Sequence, residues 1–446
     1  MATIKYPKDL AKAVFSEIKR KNDKFPSEDI LVALFETLFF ASIKTEEAEP
    51  IIFNIVYLDP DDPDPYPPEI KVQDRWGYVK ISEQIEFNIL NVTKLAKASD
   101  PRTSSLAIYH DKNNEIFIWG LIDQGNRCHD YVNYESETGP ERPGIFQASI
   151  EGSGFLVAYI KYQKIAELRI TRLIRRTVDI FSNGPIKDAL DLEIKRHLKL
   201  TKKEVGVDVY SNRDYWNKAL TKDWYSTICR IILRIKSYGH GGALLISNVQ
   251  AKSGLNIKYK MTYERLKNAL VNRAVKLIES TYATVQIYEY VEKEEDNIPI
   301  DLYLNENVSE EELNSINSEI DGALWFISLL SRVDGLVLMS KNLVVLGFGV
   351  EINSSTPPDI VYSCSTQIPD NSSLKEVDYN HFGTRHRSMM RHCWTYPGSV
   401  GFVVSQDGDV KAITKCDNKL VFWDNIKLQA YTFVKPRLLR RRIQRR

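Results

Sequence analysis

The spacing of apolar residues changes along the first part of the chain. Residues 8–43 carry apolar positions three and four apart, which is the period of amphipathic helices. Short apolar runs typical of strands follow at 51–58, 85–92, 105–109, 116–122 and 155–162. The run at 116–122 is apolar almost throughout, which predicts burial on both faces. These helices and strands together predict a mixed α/β module.

Two further helices are predicted before the chain changes character. Residues 163–182 place basic side chains around apolar positions, and we interpret them as a basic amphipathic helix. A solvated helix face is the simpler interpretation, and a nucleic-acid surface is the alternative. Asn183-Gly184-Pro185 ends this pattern, and residues 186–204 predict a polar helix.

The second half repeats a helix followed by glycine and a buried strand. Helical patterns at 224–237 and 312–331 each lead through glycine into an apolar run. Further predicted segments are a strand at 343–352, a polar loop at 353–380, a short helix at 389–394, and a hairpin of strands at 400–405 and 410–413. This alternation predicts a central mixed β-sheet flanked by helices.

The changes in pattern divide the chain into four parts. We predict an N-terminal α/β sensor-like domain at 1–185, a helical connector at 186–214 and a second α/β domain at 215–430. A charged insertion at about 255–320 interrupts the second domain. A basic tail at 431–446 closes the chain.

Composition excludes several classes of protein. The net charge is only +1, so no overall field favours nucleic acid; besides the alternative for residues 163–182, the tail Lys435–Arg446 suggests such a partner. Five cysteines without CxxC spacing are typical of reduced thiols. The chain shows neither a signal peptide nor an apolar run long enough to cross a bilayer, so we expect a cytoplasmic protein without a membrane partner.

Candidate chemistry is concentrated near the C-terminal end. Gly383-Thr384-Arg385-His386-Arg387 precedes a predicted helix, where arginines and free backbone N–H groups suit phosphate. Asp334-Gly335 stands at the entrance of one strand and Ser405-Gln406-Asp407 at the exit of another. Asp334 is a candidate ligand for a divalent cation that also contacts phosphate. A solvated basic turn and a turn-capping aspartate are the alternatives.

Asp334-Gly335-Leu336 followed by Gly383–Arg387 resembles the paired Asp-Gly-Ala and Arg-His-Arg signatures of diadenylate cyclase (DAC, DisA_N-type) domains. The order of the surrounding segments is also similar. The N-terminal half resembles the DACNV type of predicted sensor region fused to such domains. Specific motifs lie only within 330–410.

The resemblance implies a metal-dependent nucleotidyltransferase that condenses two ATP molecules into cyclic di-AMP and releases pyrophosphate. It implies Mg²⁺ or Mn²⁺ and face-to-face self-association, in which the 3′-hydroxyl of each ATP attacks the α-phosphate of the other. The implied catalytic residues are Asp334 and Gly335, and the implied metal ligands are Asp334 and His386. The implied ATP and phosphate-binding residues are Gly383, Thr384, Arg385, His386, Arg387 and Ser405.

Departures from the family pattern leave an alternative open. Leu336 stands where the family has alanine, and Glu351 follows a strand pattern that differs from that of the best-known cyclases. Leu336, Glu351 and Gln406 are therefore possible additional site residues. The alternative function is a catalytically inactive nucleotide-binding sensor module with the same fold.

Overall fold

The chain divides into two units in a computed structural model, with the boundary between Thr177 and Val178. The structure describes the following residues: 4–18, 25–63, 77–100, 103–123, 146–160, 163–175, 177–205, 213–248, 254–292, 299–354, 356–406 and 408–428. The predicted basic tail and Asp407 lie outside these residues. Both units mix helices and strands, so the predicted α/β class is confirmed.

In its described residues the first unit has three α-helices, an eight-stranded sheet and a two-stranded sheet of β1 and β2. Its helices and strands are α1 (Pro7–Ile18), α2 (Glu28–Ser42), β1 (Thr45–Glu46), β2 (Glu49–Pro50), β3 (Phe53–Tyr57), β4 (Gly77–Glu86), α3 (Ile89–Leu95), β5 (Ser104–His110), β6 (Ile116–Asp123), β7 (Phe146–Gly152), β8 (Phe155–Ile160), β9 (Gln163–Arg169) and β10 (Arg172–Ile174). The start of α2 follows from its sequence, because the Ser27 hydroxyl caps the helix by accepting from the amide of Ile30 at 3.3 Å.

Eight strands form the sheet of the first unit in the order β10-β9-β8-β7-β3-β5-β6-β4. β3 and β5 are parallel, whereas the other neighbouring strands that the structure describes are antiparallel. Strand β6 is buried on both faces as predicted. Ile118 packs in the core beneath the helices, and Trp119 packs in a second cluster on the other face.

Two sequence predictions in the first unit are wrong. Residues 163–182 contain β9 and β10 instead of a basic helix, because alternating Ala166 and Leu168 bury one face against the core. Ile170, at φ 53°, makes the turn between the two strands. The run at 85–92 is likewise not one strand, since the Asn88 side chain caps α3 by accepting from the amide of Asn91 at 2.9 Å.

The second unit has helices on both faces of a larger sheet. Its helices and strands are α4 (Pro185–Val205), α5 (Arg213–Ser237), β11 (Gly242–Ile246), β12 (Leu255–Tyr263), α6 (Arg265–Glu292), α7 (Ile300–Leu330), β13 (Leu336–Met339), β14 (Val345–Ile352), β15 (Val361–Cys364), β16 (Leu374–Val377), α8 (Thr384–Thr395), β17 (Val400–Val404), β18 (Val410–Cys416) and β19 (Lys419–Trp423). The strand order is β12-β14-β13-β11-β17-β18-β19-β15-β16.

Both faces of this second sheet are covered. Met389, Met390 and Cys393 of α8 pack into a core with residues of the central strands. Helix α5 packs closely against β11, since position 242 carries no side chain. A Cβ built at Gly242 would be only 2.6 Å from Cγ2 of Ile235 in that helix. The predicted mixed sheet flanked by helices is therefore present. The predicted polar loop at 353–380 differs, since it contributes β15 and β16.

The connector and the insertion are both integral to the second unit. Helix α4 begins one residue before the predicted connector, and it buries Ile186, Leu190 and Ile194 along one face. The insertion forms β12, α6 and most of α7. Arg273 of α6 is buried, and its guanidinium pairs with Asp223 of α5. These contacts explain why neither segment stands apart from the sheet.

Candidate functional site

Strand directions bring the predicted site segments to one edge of the second sheet. β11 and β13 are parallel, with Leu244 opposite Val337, so both strands begin at this edge. β17 is antiparallel to β11, with Gly242 opposite Val404, so β17 ends there. Gly241, Asp334-Gly335 and Ser405-Gln406 consequently lie side by side. We call this the glycine edge.

Glycine is required where the chain crosses itself at this edge. Gly335 has φ 113°, and a Cβ built there would lie 2.6 Å from the carbonyl carbon of Gly349. Gly349 also has a positive φ of 60°, and its own Cβ would lie 3.4 Å from the carbonyl oxygen of Asp334. This close backbone approach fixes the path of the chain just before β13. Asp334, which precedes the crossing, is exposed.

The Gly383–Arg387 segment at the start of α8 reaches the glycine edge through Arg385. Gly383 is the N-cap of α8 and supplies no side-chain cap, while Thr384 and Arg385 are exposed in the first turn. A Cβ built at Gly241 would lie 2.9 Å from Nη1 of Arg385 and 3.3 Å from the backbone nitrogen of Gln406. The guanidinium therefore lies between the start of β11 and the end of β17.

Arg387 is more enclosed than Arg385. Its backbone N–H donates to the carbonyl of Gly383 at 3.0 Å, and its carbonyl accepts from the hydroxyl of Tyr379 at 3.1 Å. These bonds fix the first turn of α8, and the Arg387 side chain is partly buried. Arg385 is thus the more accessible of the two arginines.

Ser405 is held by the hairpin that follows β17. Its hydroxyl accepts from the backbone N–H of Asp409 at 3.0 Å, and its own N–H donates to the Asp409 carbonyl at 2.9 Å. The hydroxyl proton remains available to a ligand. Gln406 is exposed beside it. The third residue of this motif, Asp407, lies outside the described residues.

His386 is more buried than Arg385, which precedes it. Burial and the nearby Lys411 ammonium lower the pKa of His386 to about 4, partly offset by Asp424. Its imidazole is therefore neutral at physiological pH. Nε2 is buried and has no hydrogen-bond partner among the described residues. A neutral ring with an unused nitrogen can accept a hydrogen bond or coordinate a cation.

Glu351 lies near Asp334 but is already paired. Its carboxylate accepts from the ammonium of Lys258 at 2.8 Å and from the amide of Asn256 at 3.1 Å. Hydrogen bonding by Lys258 lowers the pKa of Glu351, and the Glu351 carboxylate raises the pKa of Lys258 with a smaller contribution from Asp334. Lys258 thus pairs with Glu351 and lies within electrostatic reach of Asp334.

Leu336 belongs to the core instead of the exposed edge. Its side chain is 6% exposed and packs in the same cluster as Met389 and Met390 of α8. The departure from alanine at this position is therefore accommodated beneath α8. Crowding of a ligand at the glycine edge by Leu336 does not follow from the geometry.

The residues present suit a metal that arrives with phosphate. Across the described ranges, His, Cys, Asp and Glu side chains form no group of three or more that could hold a metal. Mg²⁺ is commonly bound by one or two carboxylates, with substrate phosphates and waters as its other ligands. The exposed Asp334 carboxylate fits that limited protein contribution, whereas Nε2 of His386 is buried and Asp334 is not among the charged groups that act on the His386 ring.

Several residues around the glycine edge were not predicted as site residues. Gly241, Gly349 and Lys258 come next to Asp334 or Arg385 only through strand pairing. The sequence offered a partial signal in the alternating glycines of Leu346–Val350. Beside Gly241, His240 has Nδ1 3.0 Å from the carbonyl oxygen of Gly241, while its buried Nε2 has no hydrogen-bond partner among the described residues.

Comparison with known proteins bears on the first unit. Residues 20–123 match the family described as probable sensor domain DACNV, which supports the predicted N-terminal sensor region. The match covers α2 to β6 and does not extend into the second unit. No curated protein matches the chain. In the part of the chain that the structure describes, no helix combines the length and apolar character needed to span a membrane.

Proposed function

We propose that the second unit is a diadenylate cyclase that condenses two ATP molecules into cyclic di-AMP with release of pyrophosphate, regulated by the N-terminal sensor region. One observation carries the proposal. Strand pairing brings Asp334-Gly335 and Ser405 to a single edge, and the first turn of α8 brings Arg385 there, although these residues are far apart in sequence. The resemblance of these segments to the cyclase signatures agrees with that convergence.

The phosphate groups of ATP are assigned to the start of α8. Unpaired N–H groups of the first turn and the helix dipole favour an anion there. Thr384 and Arg385 are exposed at that position, and Arg387 and Ser405 supply further donors. Phosphoryl and nucleotidyl transfer depends mainly on positioning and charge neutralisation, so a set of fixed donors is what the reaction needs.

The proposed chemistry centres on Asp334. Its exposed carboxylate would lie near the 3′-hydroxyl that attacks the other nucleotide. Asp334 would hold Mg²⁺ or Mn²⁺ together with phosphate oxygens, and the metal when bound would neutralise phosphate charge. The second implied ligand, His386, has a buried Nε2 that would first have to become accessible. Each copy holds one ATP, so reaction requires a second copy to meet the first face to face at the glycine edge.

A direct product assay tests the proposal. Purified full-length protein is incubated with ATP and either Mg²⁺ or Mn²⁺, and the products are resolved by mass. Cyclic di-AMP is expected with the unaltered chain. Asp334→Asn, which keeps the side-chain volume, is expected to abolish product while leaving the thermal transition unchanged. Absence of cyclic dinucleotide with both metals, while ATP binding is demonstrated, would reject the proposal.

Arg385 provides a separate test of the binding step. Its guanidinium is exposed at the glycine edge, and each charge-assisted hydrogen bond is worth about 1.5–3 kcal/mol. Arg385→Ala is therefore expected to weaken ATP binding by at least about tenfold. Arg332→Ala is the matched control, because Arg332 is also exposed and lies two residues before Asp334 in the sequence. Equal effects of the two changes would refute the assignment.

A nucleotide-binding sensor module without turnover is the second candidate. Lys258 favours it, because its ammonium lies beside the Glu351 carboxylate and within the field of Asp334. A cation there competes with a metal for the carboxylate. Saturable ATP binding, absence of product and a monomer by light scattering would together favour this candidate.

A further inference from the structure

A second cavity lies in the second unit, away from the glycine edge. It has a volume of about 230 Å³ and opens between α4, α5, α6 and the turn that joins β13 to β14. β13 begins at the glycine edge and ends at Met339, so Asn342 in this turn belongs to the opposite edge of the sheet. The cavity is therefore separate from the proposed nucleotide site.

One wall of the cavity is apolar. Trp224 and Leu270 are each 3% exposed and line it together with Leu200 and Val271. Drug-sized ligands occupy about 300–1,000 Å³, so this smaller volume admits only a small molecule. The indole and the aliphatic side chains suit a compact apolar group.

A buried carboxylate also belongs to the lining. Glu193 is 7% exposed, and one of its oxygens accepts from Nη1 of Arg196 at 2.6 Å. The Arg196 side chain is itself largely exposed, which limits how much it compensates for the buried charge. Burying a carboxylate is unfavourable unless it is well paired. A cationic group within the cavity would improve that pairing.

Basic and neutral polar groups complete the lining. The ammonium of Lys267 lies 3.9 Å from the exposed Glu264, a long contact that leaves it able to bind an anion. Burial lowers the pKa of His197 to about 4, against a smaller opposing contribution from Asp223, so its ring is neutral. Just outside the lining, burial lowers the pKa of Lys341, which the Glu193 carboxylate partly offsets.

We propose that this cavity binds a small zwitterion of the α-amino acid class with an apolar side chain. The ammonium group pairs with Glu193, the carboxylate pairs with Lys267, and the side chain packs against Trp224. This arrangement gives the buried carboxylate a second cationic partner beside Arg196 and uses both kinds of charge in the lining. It does not depend on the cyclase proposal, since it concerns the opposite edge of the sheet.

Calorimetric titration of the full-length protein tests the ligand class. L-Leucine and L-phenylalanine are the first probes, followed by the other standard amino acids. Isoamylamine lacks the carboxylate of leucine, and 4-methylpentanoate lacks its ammonium group. Saturable binding of an apolar amino acid is expected, with both analogues at least about tenfold weaker because each loses a charge-assisted bond.

Matched variants identify the site. Glu193→Gln and Lys267→Met should each weaken binding by about tenfold or more, whereas Glu204→Gln and Lys203→Met, at exposed positions of α4, should not. Trp224→Phe should remove any fluorescence change caused by the ligand, which gives a readout independent of affinity. Failure of every standard amino acid to bind the folded protein, or binding that neither Glu193→Gln nor Lys267→Met alters, would overturn the proposal.

Discussion

Replacing Gly335 by alanine should destabilise the second unit and disturb its site together. The added Cβ would lie 2.6 Å from the carbonyl carbon and 2.8 Å from the Cα of Gly349, and neither backbone atom can rotate away. The φ of 113° adds backbone strain of about 1–3 kcal/mol for a residue with a side chain. Overpacking in a closed space costs about 1–3 kcal/mol more.

Together these contributions predict a loss of about 2–6 kcal/mol in the free energy of unfolding. Urea denaturation followed by tryptophan fluorescence measures it, since Trp394 and Trp423 both lie in the second unit. ATP binding should weaken in parallel, because a shift of the Gly335 backbone away from Gly349 also moves the neighbouring Asp334.

Gly322 supplies a control of the opposite sign. It lies within α7, and a Cβ built there meets no atom within 4 Å. Gly322→Ala should therefore stabilise the protein by about 0.5–1 kcal/mol through helix propensity. Equal stability of Gly335→Ala and the unaltered protein would show that the two backbones do not cross as closely as described.

Two other changes test the packing of the second unit, and a third tests how His386 affects stability with pH. Arg273→Ala should cost about 3–5 kcal/mol in unfolding free energy, because it leaves Asp223 without its buried partner. Arg265→Ala, which breaks an exposed pair with Glu319, should cost no more than about 1 kcal/mol in the same denaturation experiment. A similar cost for both would contradict the structure. The folded-state pKa of His386 lies below its unfolded value of 6.5, so its contribution favours folding above pH 6.5 and is lost as the pH falls toward 4. His386→Gln should reduce the stability difference between pH 7.5 and pH 4.5, and an unchanged difference would exclude this role.

Local signals were sufficient for many helices and strands. Ser27 and the apolar spacing after it define α2, and the turn after Ser340 joins the antiparallel strands β13 and β14. The prediction of a helix at 163–182 was wrong because charge and apolar spacing alone did not distinguish a helix from two short strands. The segment forms strand β9 by pairing with β8, and the local sequence does not indicate that pairing.

The candidate site was partly accessible to sequence reasoning. Asp334 and Arg385 could be selected by residue type and by their position near predicted strand and helix starts. Lys258 and Gly349 could not, because they reach the site through the antiparallel pairing of β12, β14 and β13. Leu336 shows the reverse case, in which a residue adjacent to the motif turns into the core.

Strand β12 has a consequence for aggregation. It is nine residues long and lies at one end of the sheet order, where an unpaired backbone could recruit a second sheet. Lys258 and Lys260 are exposed on it, and charged side chains on an edge strand oppose uncontrolled polymerisation. At the other end, β16 has only four residues and carries Lys375 and Glu376. Continuous sheet growth is thus disfavoured at both ends, which leaves the end faces of the strands as the more suitable surface for a discrete assembly.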